Sequence, residues 1–271
     1  MLKKEDYEEP LCPLCSPDKG TPIDVGRMLS RLDALLDKND TDGARRHLDY
    51  WLAEAESAGD LRGTVTVLNE QMGLFRKCGM EKEAKAAAVA AEQAIIRGNL
   101  TDTLSAATVR LNHATVCAAF GESEQAVSLY RAALSVYEKE LSPTDTRTAA
   151  LQNNLAAALV QTKNYKEAAE RYRAALAIVE STPEGYPDAA ITYLNLADLA
   201  LAERGCEDAA EEIAELCLLA DARLSDARVP RDGYLAFVTD KCAAAFRYHG
   251  FFRLAEKYAT LSQTLYGGVK K

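Results

Sequence analysis

The residues best suited to metal or redox chemistry are two cysteines near the start of the chain, Cys12 and Cys15, which form a Cys-x-x-Cys motif. Such a pair supplies half of a tetrahedral zinc site. No second pair and no closely spaced pair of histidines follows, and the nearest histidine is His47. A zinc site within one chain is therefore disfavoured. A thioredoxin-like redox role needs a strand–helix context that the sequence lacks. A metal bridging two chains, and docking of this segment on the rest of the chain, both stay open.

The other chemical groups do not converge on a catalytic pattern. Of the remaining histidines, His113 lies in an apolar helical pattern and is expected to be packed there, and His249 precedes Gly250 in a predicted turn. The sequence has no glycine-rich phosphate loop and no Ser/His/Asp arrangement. Its many carboxylates are typical of surface helices. We therefore expect a protein that is not an enzyme and that needs no cofactor.

The formal net charge of −9 disfavours nucleic acid as a partner, because an acidic surface repels phosphate backbones. No run of five or more basic residues offsets it. No segment approaches 18 uncharged apolar residues, and the first residues lack the apolar stretch of a signal peptide, so no membrane association is expected. The seven scattered cysteines fit a reducing compartment. These features together predict a cytoplasmic protein.

A sequence repeat organises most of the chain. Residues 111–134 and 153–176 match at a constant offset of 42, including an asparagine, a leading alanine, a tyrosine and a final Ala-Ala-Leu. Looser copies of the same frame precede and follow them. We count six units across residues 24–266, and such self-similarity is typical of stacked repeat folds.

Each unit is predicted to be a pair of helices. Leu151, Leu155 and Leu159 lie on one stripe at helical spacing, and glycines such as Gly121 and Gly205 stand where helices are expected to end. Two antiparallel helices cannot bury their apolar faces alone, so neighbouring units must stack. The prediction is one solenoid domain over residues 23–267. It is preceded by an extended or disordered segment rich in proline and acids, residues 1–22, and followed by a short tail, residues 268–271.

This pattern resembles the tetratricopeptide repeat. Leu155 and Ala156 stand where the family has its Leu-Gly pair, Ala168 stands at its alanine, Tyr172 at its second aromatic residue and Ala175 at its last alanine. The tryptophan of the family's first helix is absent, and its closing proline is only approximated. The usual unit has 34 residues, so the longer unit here is similar to the kinesin-light-chain variety. The resemblance implies an all-α, right-handed α-solenoid of about six antiparallel helix pairs.

In this family the first helix of each unit lines a concave groove, and the resemblance implies which side chains face it. The candidate peptide-binding residues are Asn69, Asn112, Asn153, Asn154, Asn195, Arg76, Lys77, Lys241, Arg247 and Tyr248. Further groove positions are Thr66, Glu70, Thr108, Thr115, Gln161, Asp198, Phe237 and Asp240.

Three asparagines recur at one equivalent position, Asn112, Asn154 and Asn195. A carboxamide offers both donors and an acceptor, so a row of them could hold the N–H and C=O groups of an extended peptide. The alternative is that they bond neighbouring helices or water. The carboxylate clamp of chaperone-binding relatives would need basic residues at Thr108, Ala150 and Ile191, so a bare carboxyl terminus is not the favoured ligand. The basic candidates suit acidic ligand side chains or simply solvated helix surfaces.

The function that these features favour is a non-catalytic scaffold that holds an extended segment of a partner protein, or a peptide, in its concave groove. The alternative is a peptide-sensing regulatory protein whose superhelix changes shape when its ligand binds. The sequence does not identify the partner, and self-association is left open.

Overall fold

The computed structural model describes residues 22–269. Cys12 and Cys15, the predicted extended segment except for Pro22, and the end of the predicted tail therefore lie outside the described residues. Residues 22–269 form eleven helices and no strand. They are α1 (Val25–Leu36), α2 (Thr41–Ala58), α3 (Leu61–Lys77), α4 (Glu81–Arg97), α5 (Leu104–Ala119), α6 (Ser123–Glu140), α7 (Thr146–Gln161), α8 (Tyr165–Val179), α9 (Tyr186–Leu224), α10 (Gly233–Tyr248) and α11 (Phe252–Val269).

Helix α9 is two helices joined at a sharp break. Gly205 has φ 82° and ψ 173°, far from helical values, and this backbone region is open almost only to glycine. The break separates a first arm, residues 186–204, from a second arm, residues 206–224. With α9 counted as two arms, residues 22–269 hold six consecutive helix pairs. This confirms the all-α repeat architecture that the sequence predicts.

Aspartates start many of these helices. The Asp60 side chain accepts from the backbone N–H of Gly63 at the start of α3, and its other oxygen accepts from the N–H of Ile23 ahead of α1, both at 2.9 Å. Asp40, Asp145 and Asp232 cap α2, α7 and α10 in the same way. Each such bond satisfies a backbone N–H that has no partner inside the helix. Asp60 thereby also ties two successive pairs together.

The chain divides into two compact units, which meet in the sequence between Glu140 and Leu141. Helices α1–α6 form the first unit, whose core includes Met28, Leu48 and Met72 and many buried alanines of α4. Helices α7–α11 form the second unit, whose core includes the stacked rings of Phe246 and Tyr258. Small side chains let packed helices approach closely. The prediction of a single solenoid domain stays a prediction.

Within each unit, consecutive helices contact one another, and first helices also contact first helices. Helix α3 packs against both α4 and α5, and α7 packs against both α8 and α9. Among the described residues, no helix is both long and apolar enough to cross a membrane. The architecture therefore places the predicted groove positions of α3 and α5, and those of α7 and α9, next to each other.

Candidate functional site

Two pairs of asparagines bridge neighbouring first helices. In the first unit, the Asn112 side chain on α5 donates from Nδ2 to Oδ1 of Asn69 on α3 at 3.1 Å. In the second unit, Asn195 on the first arm of α9 donates from Nδ2 to Oδ1 of Asn153 on α7 at 3.2 Å. Asn69 is buried and the other three are half-buried. Four of the five asparagines that the sequence singles out thus lie in two geometrically similar pairs.

The register of the second pair differs from the row read from the sequence. That row aligns Asn154 with Asn195, whereas the structure bonds Asn195 to Asn153, 42 residues earlier. Asn154 lies about 100° further round the helix axis than Asn153. Asn154 is half-buried on α7.

The asparagine bonds have a structural role, because each joins two helices that are not adjacent in sequence. This is the helix-bonding alternative raised by the sequence. Each bond engages one N–H of the donor amide and one oxygen of the acceptor amide, and a carboxamide has further capacity on both atoms. The bonds also fix the direction in which these side chains point.

More polar groups accompany the pair in the first unit. The Thr115 hydroxyl on α5 lies 3.0 Å from the Tyr130 hydroxyl and also donates to the Leu111 carbonyl. Burial raises the pKa of the Tyr130 phenol, while the hydrogen bond between Tyr130 and Thr115 and the charge of Arg76 act in the opposite direction. Arg76 is half-buried at the end of α3 and Lys77 is exposed. The predicted residues Asn112, Thr115 and Arg76 therefore contribute to one polar region of the first unit.

Two predicted groove threonines are already engaged inside the unit. Thr66 is buried, and its hydroxyl donates to the Arg62 carbonyl within α3. The Thr108 hydroxyl lies 3.3 Å from that of Tyr137 on α6. Both hydroxyls serve local packing.

In the second unit, the predicted cationic and aromatic residues of α10 lie on its exposed face. The Lys241 ammonium stands 4.4 Å from the centre of the Phe237 ring, a cation–π contact. Tyr248 is 71 % exposed, and Arg247 is exposed beside it.

Two residues beside this face, Tyr234 and Asp188, are not among the site residues that the sequence predicts. The Tyr234 hydroxyl donates to Asp188 on the first arm of α9, and the Tyr234 ring stacks on Phe237. Burial raises the pKa of the Asp188 carboxyl, while the bond from Tyr234 and the charge of Lys241 oppose that shift. The signal for Tyr234 was present in the sequence, since it stands three residues before Phe237, one turn away on the same helix face.

Two histidines lie close to carboxylates on neighbouring helices. His113 Nδ1 lies 3.6 Å from Glu92, and its side chain is 12 % exposed, as its apolar pattern predicts. His249 Nε2 lies 2.8 Å from Asp198, and the His249 side chain is 2 % exposed although it stands directly after the end of α10. Asp198, a predicted groove residue, is thus a partner of His249.

Residues 22–269 hold no candidate metal centre, and one cleft among them is balanced in charge. They contain no group of three or more His, Cys, Asp or Glu residues that could hold a metal ion. A shallow cleft of about 630 Å³ lies at the start of α8 and is lined by Lys163, Asn164, Tyr165, Lys166, Glu167, Glu170, Arg171 and Glu203. Its three cationic and three anionic side chains balance, so it favours neither sign of ligand charge.

Comparison with known proteins identifies the repeat. The tetratricopeptide repeat family model matches residues 105–181 and 147–220. A kinesin light chain protein of Podosopora anserina with nearly identical TPR-like repeats is 17 % identical, with a TM-score of 0.50 over 76 % of this chain and 97 % of that one. BtubC (BKLC) of P. vanneervenii is 18 % identical, with a TM-score of 0.54 over 86 % and 92 %.

A third similar structure is a Rap protein in complex with Competence and Sporulation Factor. It is 14 % identical, with a TM-score of 0.50 over 89 % of this chain and 74 % of that one. No curated protein matches this sequence. At these identities the structural likenesses show the fold, and that fold is the one predicted from the 42-residue offset.

Proposed function

We propose that this chain, a tetratricopeptide repeat protein with repeats of the kinesin-light-chain-like type, is a non-catalytic scaffold that binds an extended segment of a partner protein or a peptide. The observation that carries the proposal is the pair of carboxamides on neighbouring first helices in each compact unit. The complex of the similar Rap protein with Competence and Sporulation Factor supports a ligand of this general kind. The groove expected from the family would hold the segment against these helices.

The asparagine pairs suit recognition of a peptide backbone. An extended chain presents N–H and C=O groups along its length, and a carboxamide can bond both. The bond within each pair orients the amides before a ligand arrives, so less side-chain freedom is lost on binding. Contacts to the backbone tolerate many side-chain sequences, which leaves selectivity to neighbouring residues.

The basic candidates would add charge selectivity. Arg76 and Lys77 lie at the end of α3 in the first unit, and Lys241 and Arg247 lie on α10 in the second. Exposed pairs of opposite charge contribute little affinity, but they speed encounter and disfavour wrong partners. We therefore expect ligands with acidic side chains to bind faster than neutral ligands.

The test is binding of displayed peptides selected against the full-length chain. We expect Asn112→Ala or Asn195→Ala to weaken the selected peptides about tenfold each, the value of one well-made hydrogen bond in a partly buried site. Binding would be measured by isothermal titration, with circular dichroism to confirm that helicity is kept.

Two matched variants control for simple loss of an amide. Gln125 on α6 and Gln263 on α11 are exposed carboxamides on second helices, and their replacement by Ala should leave affinity unchanged. Equal affinity of the wild-type chain and both asparagine variants for every selected peptide would refute the proposed role of these side chains.

A further inference from the structure

One face of α10 is left exposed and carries three aromatic rings. Tyr234 is 42 % exposed, Phe237 45 % and Tyr248 71 %. The opposite face of the same helix is buried through Leu235, Val238, Cys242 and Phe246. Rings gathered on one helix face, rather than scattered, mark an interaction surface. We call the exposed residues Tyr234, Phe237, Lys241, Ala244 and Tyr248 the α10 stripe.

The spacing within the α10 stripe is that of a helix-pairing seam. Its members follow one another at intervals of three, four, three and four residues, the spacing by which the core positions of a coiled coil meet a second helix. The stripe extends about 21 Å along the helix, at 1.5 Å per residue. A ligand with the same period, which is another α-helix, would match it along this length.

The stripe is held in place by contacts within the second unit. The Tyr234 hydroxyl donates to Asp188, the Tyr234 and Phe237 rings stack with centres 6.4 Å apart, and the Lys241 ammonium lies 4.4 Å from the Phe237 ring centre. Side chains already fixed in position lose little freedom when a partner covers them. The side chains of the α10 stripe are therefore preorganised for binding.

Charge decides which kind of helix fits. Lys241 occupies the central layer of the stripe, and no salt bridge to it is found among the described residues. A partner that covers this layer removes water from the ammonium, and an opposite charge on the partner offsets that cost. A carboxylate in the facing layer meets that need, with apolar side chains in the layers on either side.

A second copy of this chain is a poorer match. Parallel pairing of two α10 stripes places the two Lys241 side chains in the same layer. One antiparallel register sets Lys241 against Phe237 of the second copy and brings Asp240, at the edge of the stripe, close to its own counterpart. Both of these arrangements juxtapose like charges, and such contacts disfavour association.

We propose that the α10 stripe binds an amphipathic helix of a partner protein, which has apolar side chains at three- and four-residue spacing and an acidic residue in the layer that faces Lys241. This inference rests on the proposed function, since it names the chemistry of a partner of the same scaffold. It places that contact on α10, on residues that include the groove candidates Phe237, Lys241 and Tyr248 but none of the paired asparagines.

Two synthetic helical peptides of three heptads would test it. Both have leucine in the seam positions, except for one central position that is glutamate in one peptide and lysine in the other. Binding of dye-labelled peptide to the full-length chain is followed by fluorescence anisotropy. The glutamate peptide should bind about tenfold more tightly than the lysine peptide, because like charges in one layer repel.

Reversal of the charge should reverse that order. With Lys241→Glu we expect the lysine peptide to become the tighter ligand, and with Phe237→Ala both peptides should weaken. Lys166→Glu changes an exposed lysine on α8 and should leave the order as in the wild type. Circular dichroism of each variant would establish that it is folded.

Three results would overturn the inference. They are failure of both peptides to bind, an unchanged order of affinities in Lys241→Glu, and dimerisation of the chain that Phe237→Ala abolishes, which would assign the stripe to a second copy. Asn195→Ala separates this test from that of the proposed function. It should weaken the displayed extended peptides but leave the helical peptides unaffected, so one binding mode can fail while the other stands.

Discussion

The roles of the asparagines and the reactivity of the cysteines in this protein depend on the surroundings of each side chain. The asparagines act as bridges because each faces another amide on the neighbouring first helix. Cysteines differ in the same way. Burial raises the pKa of the Cys242 thiol to about 12 and those of Cys117 and Cys217 to about 11, whereas Cys78 and Cys206 are exposed.

This difference predicts two classes of thiol reactivity. Because the thiolate is the nucleophile, a raised pKa leaves less of the reactive form at pH 8. Cys117, Cys217 and Cys242 should be alkylated by iodoacetamide about a hundredfold more slowly than Cys78 and Cys206. Peptide mass spectrometry of timed samples would measure each site separately. Equal rates at all five sites in the folded chain would contradict the packing described for them, and unfolding in urea should abolish the difference.

At the scale of the helices, the break at Gly205 in α9 is the feature that the sequence predicts most clearly. Gly205 was expected to end a helix, and the structure shows a sharp break there between the two arms of α9. The break could be predicted from the sequence because glycine disrupts a helical pattern. The φ and ψ values at the break could not be predicted, since they depend on how the second arm packs back on the first.

The backbone conformation at position 205 favours glycine, and this can be tested by substitution. A Cβ at Gly205 would meet nothing within 4 Å, so Gly205→Ala should act through the backbone alone. A non-glycine residue at such φ and ψ values costs about 1–3 kcal/mol, and the free energy of unfolding in urea should fall by that amount. Gly233→Ala, at the start of α10 and also without a nearby atom, should be neutral or slightly stabilising. Similar stabilities of the two variants would argue against the kinked geometry.

At the scale of the whole chain, sequence periodicity predicted the repeat but not the division into compact units. The two best-matching copies, residues 111–134 and 153–176, lie on opposite sides of the boundary after Glu140. The repeat pattern therefore runs across the boundary between the two units in the sequence. The sequence also predicted only part of the pairing between asparagine side chains. An asparagine position follows from the offset, but a one-residue shift such as that between Asn153 and Asn154 depends on the phase of packed helices.

The central claim is that the asparagine pairs bond the backbone of an extended ligand, and a double-mutant cycle tests it most directly. A selected peptide and its derivatives with one backbone N–H replaced by N-methyl are each titrated against the wild-type chain, Asn195→Ala and Asn112→Ala. If the amide of Asn195 or Asn112 accepts from that N–H, the two changes should be non-additive, with a coupling of about 1 kcal/mol at one peptide position for each asparagine. Strictly additive effects at every position would show that these asparagines hold helices together and do not bond the ligand backbone.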